Sequence, residues 1–174
     1  MKLKIINSIL VVLAVVFLAS CSKSGNNKQQ NQKYDMFNKN LITANKYLVK
    51  EDAEHIKNYI KRRNWQMIDG EGGLKYMITS HGEGDSVKLA PSLTMDYRVE
   101  LLDGTLCYSS ETDGSKQIVF GSSEMEPGLI RAFQTLCHGD KAVFILPPHF
   151  AKGLIGDMNK IPPHSVIVYF LEIK

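Results

Sequence analysis

The spacing of large apolar side chains changes twice along the chain. Residues 9–19 are an unbroken run of eleven apolar residues. From residue 34 to residue 65 apolar side chains recur every three or four positions, the spacing of one face of an α-helix. Beyond residue 73 they recur at every second position, the spacing of a β-strand with one buried face. The pattern therefore predicts an apolar leader, a helical segment and a sheet-rich domain.

The apolar run at the start has the features of a secretory signal. Lys2 and Lys4 precede it, and it is shorter than the ~20 residues of a membrane-spanning helix. It ends in Leu18-Ala19-Ser20-Cys21, which resembles a bacterial lipobox, where the cysteine is lipidated and the chain is cut before it. An ordinary signal peptide with an incidental cysteine is the alternative. We expect residues 1–20 to be a lipoprotein signal peptide and Cys21 to anchor the protein in the cell envelope, in the outer membrane facing the periplasm.

The segment between the leader and the sheet-rich domain divides in two. Residues 21–33 carry no large apolar side chain and are predicted to form a flexible tether. Residues 34–69 are predicted to be helical, and from residue 51 onward acidic side chains come early and basic ones late, as the helix dipole favours. The apolar stripe of this segment is expected either to pack against the following domain or to associate with a second copy.

The sheet-rich domain spans residues 73–174. Its clearest strand alternates apolar and polar side chains, with Leu93, Met95, Tyr97, Val99 and Leu101 on the apolar face. Further strands are predicted at residues 74–79, 117–120, 141–146 and 166–173. One short helix is predicted from Glu126 to about Leu136, with Pro127 near its start and Gly139 beyond its end. Short strands around one small helix indicate an α+β fold.

Composition and charge exclude several classes of function. Without residues 1–20 the chain has 19 basic and 18 acidic side chains, and this balance does not predict a nucleic-acid partner. The five histidines lack the spacing of a zinc site, and His164 is expected to be a hydrogen-bonded structural residue. Cys107 and Cys137 either pair as a disulfide or, as we favour, remain thiols. We expect no cofactor and no covalent catalysis, because the sequence has no nucleophile elbow, phosphate-binding loop or dinucleotide motif.

Eight short motifs follow one another in a characteristic order. They are Tyr97, Leu102-Asp103-Gly104, Ser109-Ser110, Phe120-Gly121, Glu126-Pro127-Gly128-Leu129, His138-Gly139-Asp140-Lys141, Leu146-Pro147-Pro148-His149-Phe150-Ala151-Lys152-Gly153 and Ile161-Pro162-Pro163-His164-Ser165. In this order they resemble FKBP-type peptidyl-prolyl cis-trans isomerases, over about a hundred residues. The resemblance implies an FKBP-like twisted antiparallel half-barrel around one short helix, preceded by N-terminal helices.

The resemblance also implies a proline-binding pocket between the helix and the sheet. The residues that it assigns to catalysis are Tyr97, Tyr108, Glu126, Lys152 and Tyr169. Those that it assigns to substrate binding are Cys107, Met125, Leu129 and Ile161, and it places Lys116 and Asp157 in the same pocket.

Several pocket positions depart from the family pattern. The customary Phe-Asp pair is Cys107-Tyr108, the floor tryptophan is Leu129, two wall aromatics are Lys116 and Lys152, and an apolar residue is Glu126. Aromatic walls would bury the prolyl ring and exclude water. We therefore expect weak isomerase activity and no tight binding of the macrolide inhibitors typical of the family.

Two functions follow from the resemblance. The first is a peptidyl-prolyl isomerase that assists the folding of exported proteins and acts on their proline-containing segments. The alternative is a catalytically weak chaperone or binding module for such segments. A purely structural envelope protein is less favoured, since it gives no reason for a preserved pocket scaffold. The sequence leaves the oligomeric state open.

Overall fold

The computed structural model describes residues 24–87, 92–119 and 126–174. The chain divides into two compact units, with the boundary between Tyr47 and Leu48. Among the described residues no helix is both long enough and apolar enough to cross a bilayer.

A single helix, α1, spans Ser24–Arg63. It includes residues 24–33, where the sequence predicted a flexible tether, so that prediction is corrected for this segment. Between Gly25 and Gly70 the chain has neither glycine nor proline. Once a helix is nucleated, each further residue adds a backbone hydrogen bond, and this does not require apolar side chains.

The apolar stripe of α1 has a different environment in each unit. In the first unit its side chains are exposed, among them Tyr34, Phe37 and Leu41. In the second unit Ile56 and Tyr59 are buried against side chains of the sheet. The C-terminal part of the stripe therefore packs on the domain that follows it, as one of the two alternatives predicted.

Seven strands form one antiparallel sheet. They are β1 (Ile68–Asp69), β2 (Lys75–Ser80), β3 (Ser92–Leu101), β4 (Leu106–Ser109), β5 (Lys116–Val119), β6 (Lys141–Leu146) and β7 (Ile167–Ile173). Their order is β1-β2-β6-β7-β3-β4, and β5 pairs with the first half of β3. The described part of the second unit also has two short helices, α2 (Ser110–Asp113) and α3 (Pro127–Phe133), and two 3-10 turns (Glu71–Gly73 and Pro148–Phe150).

The central strands β6 and β7 are apolar on both faces because both faces are covered. Phe144 and Leu171 lie in the core on the α3 side, whereas Val143, Ile145 and Val168 pack against the C-terminal part of α1. Side chains alternate between the faces of a strand, so a strand that is buried on both sides must be apolar at nearly every position.

Helix α3 packs closely against the sheet. A Cβ added to Gly128 would lie 2.6 Å from Leu146 Cδ2 and 2.8 Å from the Phe150 carbonyl oxygen, so this position requires glycine. The helix ends at Phe133, earlier than predicted, because the chain tightens into i→i+3 bonds such as Leu136 N–H to Phe133 O at 3.2 Å. The apolar side chains of the predicted helix, Leu129, Ala132, Phe133 and Leu136, are buried.

Candidate functional site

A cavity of about 220 Å³ lies between α3 and the face of the sheet that α3 covers. The side chains that line it are Met95, Tyr97, Val99, Tyr108, Lys116, Glu126, Leu129, Lys152, Asp157, Ile161 and Tyr169. Strand β3, helix α3, strand β7 and the loop before β7 all contribute to it. The cavity is therefore assembled by the tertiary fold from segments that are far apart in the sequence.

The structure brings together nine of the eleven side chains that the resemblance placed in this pocket. Cys107 is not among the lining residues. It is buried in the core, and its Sγ lies 3.5 Å from the Lys160 carbonyl oxygen, so its role in substrate binding stays a prediction. Met125 lies outside the described residues. Cys107 and Cys137 are free thiols, in agreement with the favoured alternative.

Two lining residues, Met95 and Val99, were missed by the sequence reading of the site. They stand two positions before and after Tyr97 on β3. Since alternate residues of a strand share a face, the placement of Tyr97 in the pocket already implied that its i−2 and i+2 neighbours would lie beside it. The alternation along β3 thus indicated both residues, whereas the family motifs did not include them.

The floor of the cavity is apolar. Leu129 of α3 is 1% exposed, and Met95 and Val99 of β3 are equally well buried. Ile161, at 2% exposure, is held by a hydrogen bond of 2.8 Å from its backbone N–H to Asp157 Oδ1. The floor can therefore accept a small aliphatic ring without leaving a polar group unpaired.

One wall of the cavity is ionic. Lys152 Nζ lies 2.6 Å from Glu126 Oε1, and the Tyr169 hydroxyl donates to the same oxygen at 3.0 Å. The Glu126 side chain is 5% exposed, whereas that of Lys152 is 31% exposed. Burial, reinforced by the neighbouring Glu126 carboxylate, raises the pKa of Tyr169 well above its usual value. Tyr169 is thus a neutral hydrogen-bond donor, and the ammonium of Lys152 is paired with the Glu126 carboxylate.

A second polar pair, Tyr108 and Asp157, also lines the cavity. The Tyr108 hydroxyl donates to Asp157 Oδ2, and this hydrogen bond raises the pKa of Tyr108. Although burial opposes it, hydrogen bonds from Tyr108 and from the backbone N–H groups of Ile161 and Asn159 hold the pKa of Asp157 below its usual value. Asp157 is therefore ionised at neutral pH and fixes the loop that carries Ile161.

His164 has the structural role predicted for it. Its Nε2 lies 3.2 Å from Asp52 Oδ1 of α1, and its backbone N–H donates to the Gly153 carbonyl at 3.1 Å. Within residues 24–87, 92–119 and 126–174 no cluster of three His, Cys, Asp or Glu side chains is arranged to hold a metal ion.

A wider groove of about 510 Å³ lies on the other face of the sheet. Trp65, Met77 and Phe170 line it together with charged side chains such as Arg98 and Lys141. The groove is more open to solvent than the cavity under α3. An open groove cannot exclude water from a bound group, so we take the more enclosed cavity as the candidate site.

Comparison with known proteins gives consistent results. A family model described as FKBP-type peptidyl-prolyl cis-trans isomerase matches residues 83–174. The probable FKBP-type peptidyl-prolyl cis-trans isomerase FkpA of Neisseria meningitidis is 33% identical over 101 residues, covering 58% of this chain and 37% of the relative. A probable FKBP-type peptidyl-prolyl cis-trans isomerase of Haemophilus influenzae is 26% identical over 139 residues, covering 76% of this chain and 57% of the relative. The chain thus spans less than two thirds of either relative.

A solved structure shows the same fold. The crystal structure of AtFKBP13 superimposes with a TM-score of 0.57 and 22% sequence identity, covering 62% of this chain and 96% of that one. At this level of identity the likeness concerns the fold alone. It agrees with the α+β architecture predicted from the sequence.

Proposed function

Because the chain belongs to the FKBP-type peptidyl-prolyl cis-trans isomerase family, we propose that it isomerises X–Pro bonds in proteins outside the cytoplasm and so assists their folding. The observation that carries the proposal is the cavity under α3, which is more enclosed than the groove on the other face of the sheet and has an apolar floor of Leu129, Ile161 and Met95. A cavity of this kind can shelter a prolyl ring while the bond that precedes it rotates.

The reaction requires little chemistry from the protein. Rotation about an X–Pro bond has a barrier of ~18–20 kcal/mol, whereas the isomers differ by only ~0.5–1 kcal/mol. The planar amide is polar through resonance, and the twisted transition state loses that resonance. Transfer of the bond from water to an apolar floor therefore disfavours the planar state relative to the twisted one. Each ~1.4 kcal/mol of such differential binding accelerates rotation tenfold.

The proposed roles of the other residues follow from their positions. The backbone N–H of Glu126, which precedes the first turn of α3, is assigned to hold a substrate carbonyl. Tyr97 and Tyr169 supply aromatic surface on the sheet side, and Tyr108 with Asp157 positions the loop that carries Ile161. The ion pair of Lys152 and Glu126 places charge where the family has apolar or aromatic groups, which supports weak activity.

The same ion pair favours a second candidate function. A polar wall lowers the benefit of burying a prolyl ring but leaves a surface that can hold an unfolded segment. The alternative is therefore a catalytically weak binding module or chaperone for proline-containing segments.

A proline-limited refolding assay separates the two functions. We expect the purified protein to accelerate the slow refolding phase of a model protein in proportion to its concentration. Leu129→Asn should reduce the acceleration at least tenfold, because a polar amide would stand on the cavity floor, and near-UV circular dichroism would show whether the variant is folded. Ile68→Asn, at an exposed position on β1, serves as the control. Suppressed aggregation of the model protein with no acceleration would favour the binding module.

The proposed location is the outer membrane, facing the periplasm, through a lipidated Cys21. Its support is the sequence Leu18-Ala19-Ser20-Cys21 at the end of the apolar leader; these residues lie outside those that the structure describes. We expect Cys21→Ser to move the protein from the membrane fraction to the soluble periplasmic fraction after cell fractionation. Cys137→Ser is the control, and unchanged membrane retention of Cys21→Ser would refute the lipid anchor.

A further inference from the structure

Helix α1 is linked to the candidate site by one buried carboxylate. Asp52 lies in the C-terminal part of α1 and is 7% exposed. Its Oδ1 lies 3.2 Å from Nε2 of His164, and among the described residues no other side chain pairs with this carboxylate. Burial of a carboxylate is costly unless a donor satisfies it, so Asp52 depends on this contact.

The carboxylate determines which nitrogen of the His164 ring carries a proton. A carboxylate can only accept a hydrogen bond, so Nε2 must donate to Asp52. In the neutral ring Nδ1 is then a bare acceptor, and no described residue offers this buried atom a hydrogen bond. The contact with Asp52 is therefore the one polar contact that orients the His164 ring within the part of the chain that the structure describes.

The backbone of His164 is also held in an unfavourable conformation. Its φ of +53° lies in the left-handed region, which disfavours residues that have a Cβ. Its N–H donates to the Gly153 carbonyl at 3.1 Å. A conformation of this kind persists only where the surrounding contacts fix it. Asp52 supplies the side-chain contact and Gly153 the main-chain contact.

His164 is connected to two residues that line the cavity. Ile161 precedes it by three positions, and the two residues between them are prolines, whose rings lock φ at ~−65°. Few torsions can therefore absorb a shift of His164 before it reaches Ile161. Gly153, which accepts the His164 N–H, directly follows the cavity-lining Lys152. A displaced His164 would thus disturb both the floor and the ionic wall.

We infer that Asp52 is a positioning residue of the isomerase site, although it does not line the cavity. It holds the His164 ring, and through residues 161–164 it fixes the place of Ile161 on the cavity floor. The inference rests on the proposed function, because it concerns the geometry of the cavity in which the X–Pro bond would rotate. A loosened Ile161 would admit water beside the prolyl ring and reduce the preference of the cavity for the twisted bond.

Substitution of Asp52 in the purified protein tests the inference through kcat/KM on a proline peptide. We expect Asp52→Ala to lower kcat/KM roughly tenfold, because small displacements of a positioned group have large effects on rate. Asp52→Asn should keep kcat/KM within about twofold of the parent, because its amide oxygen can still accept from Nε2. Glu54→Ala removes an exposed carboxylate of the same helix and is the control, with no change expected.

A second background shows whether Asp52 acts through His164. Asparagine tolerates the left-handed region, so His164→Asn removes the imidazole and can keep the backbone conformation. In this background Asp52→Ala should change kcat/KM less than about twofold, because the residue through which it acts is already gone. A merely structural role of Asp52 would give the same loss in both backgrounds.

Nuclear magnetic resonance of the imidazole nitrogens tests the inference without any substitution. In the neutral ring we expect the proton on Nε2; a proton on Nδ1 would overturn the inference. So would an unchanged kcat/KM in folded Asp52→Ala, or a tenfold loss that persists in the His164→Asn background.

The methyl signals of Ile161 separate this inference from the proposed function. Asp52→Ala should shift them in the parent and leave them in place in the His164→Asn background. If the parent does not isomerise X–Pro bonds, the proposed function fails, and these signals alone decide whether Asp52 positions Ile161. Methyl signals that Asp52→Ala leaves unchanged in the parent would overturn the inference.

Discussion

The double variant Glu126→Val with Lys152→Tyr is expected to isomerise X–Pro bonds about tenfold faster than the parent protein. It replaces a buried carboxylate and its ammonium partner, which are 2.6 Å apart, with an apolar and an aromatic side chain. The new side chains are taken to remove about 60 Å² more apolar surface from water in the twisted transition state than in the planar ground state. The activation free energy then falls by ~1.5 kcal/mol, which is roughly tenfold in rate. The backbone N–H at position 126 is retained.

The rate is measured as kcat/KM on a proline peptide by exchange spectroscopy. The matched control is Asp69→Val with Lys75→Tyr, which removes a surface ion pair between β1 and β2, away from the cavity. The control should leave kcat/KM unchanged. A double variant at positions 126 and 152 that is folded but no faster than the parent would show that the ionic wall does not limit catalysis.

Lys152→Met alone is expected to lower the free energy of unfolding by about 2–4 kcal/mol. The substitution leaves Glu126, at 5% side-chain exposure, as a buried carboxylate without its cation. Removal of one partner of a fully buried pair costs ~3–5 kcal/mol, and the 31% exposure of Lys152 reduces that figure. The Tyr169 hydroxyl remains as a donor but carries no charge to offset that of the carboxylate.

Urea unfolding of the purified variants measures this effect. Glu126→Leu combined with Lys152→Met should recover most of the lost stability, because an apolar pair of similar volume needs no counter-charge. Lys75→Met, which breaks the surface pair with Asp69, should cost less than ~1 kcal/mol. If Lys75→Met and Lys152→Met lowered the free energy of unfolding by equally small amounts, solvent would screen the Glu126 carboxylate as well as it screens a surface group.

Much of the fold could be predicted from the sequence because local patterns reflect burial directly. The alternation along β3 predicted the face that carries Tyr97, and the nearly unbroken apolar run of β7 reflects a strand covered on both sides. The motif order predicted which distant segments meet at the cavity. The first two features are determined by residue type and spacing within one segment, whereas the third rests on the resemblance of the whole motif order to a family.

Other features depend on contacts that a sequence pattern does not reveal. Glu126 and Lys152 are 26 positions apart, and nothing in their spacing shows that one neutralises the other. The contact of the Cys107 thiol with the Lys160 carbonyl likewise depends on the turn of a distant loop. The start of α1 at Ser24 was missed because the lack of apolar side chains in residues 21–33 was taken to mean disorder. A lack of apolar side chains does not prevent a helix from propagating.

The most direct test of the central claim is a nuclear Overhauser measurement between a labelled proline peptide and the methyl groups of the purified protein. We predict contacts from the prolyl ring protons to the methyl groups of Leu129 and Ile161, together with cis–trans exchange that is faster than in the free peptide. Contacts to Met77 and Val143 on the other face of the sheet, with no contact to Leu129 and no faster exchange, would contradict the account.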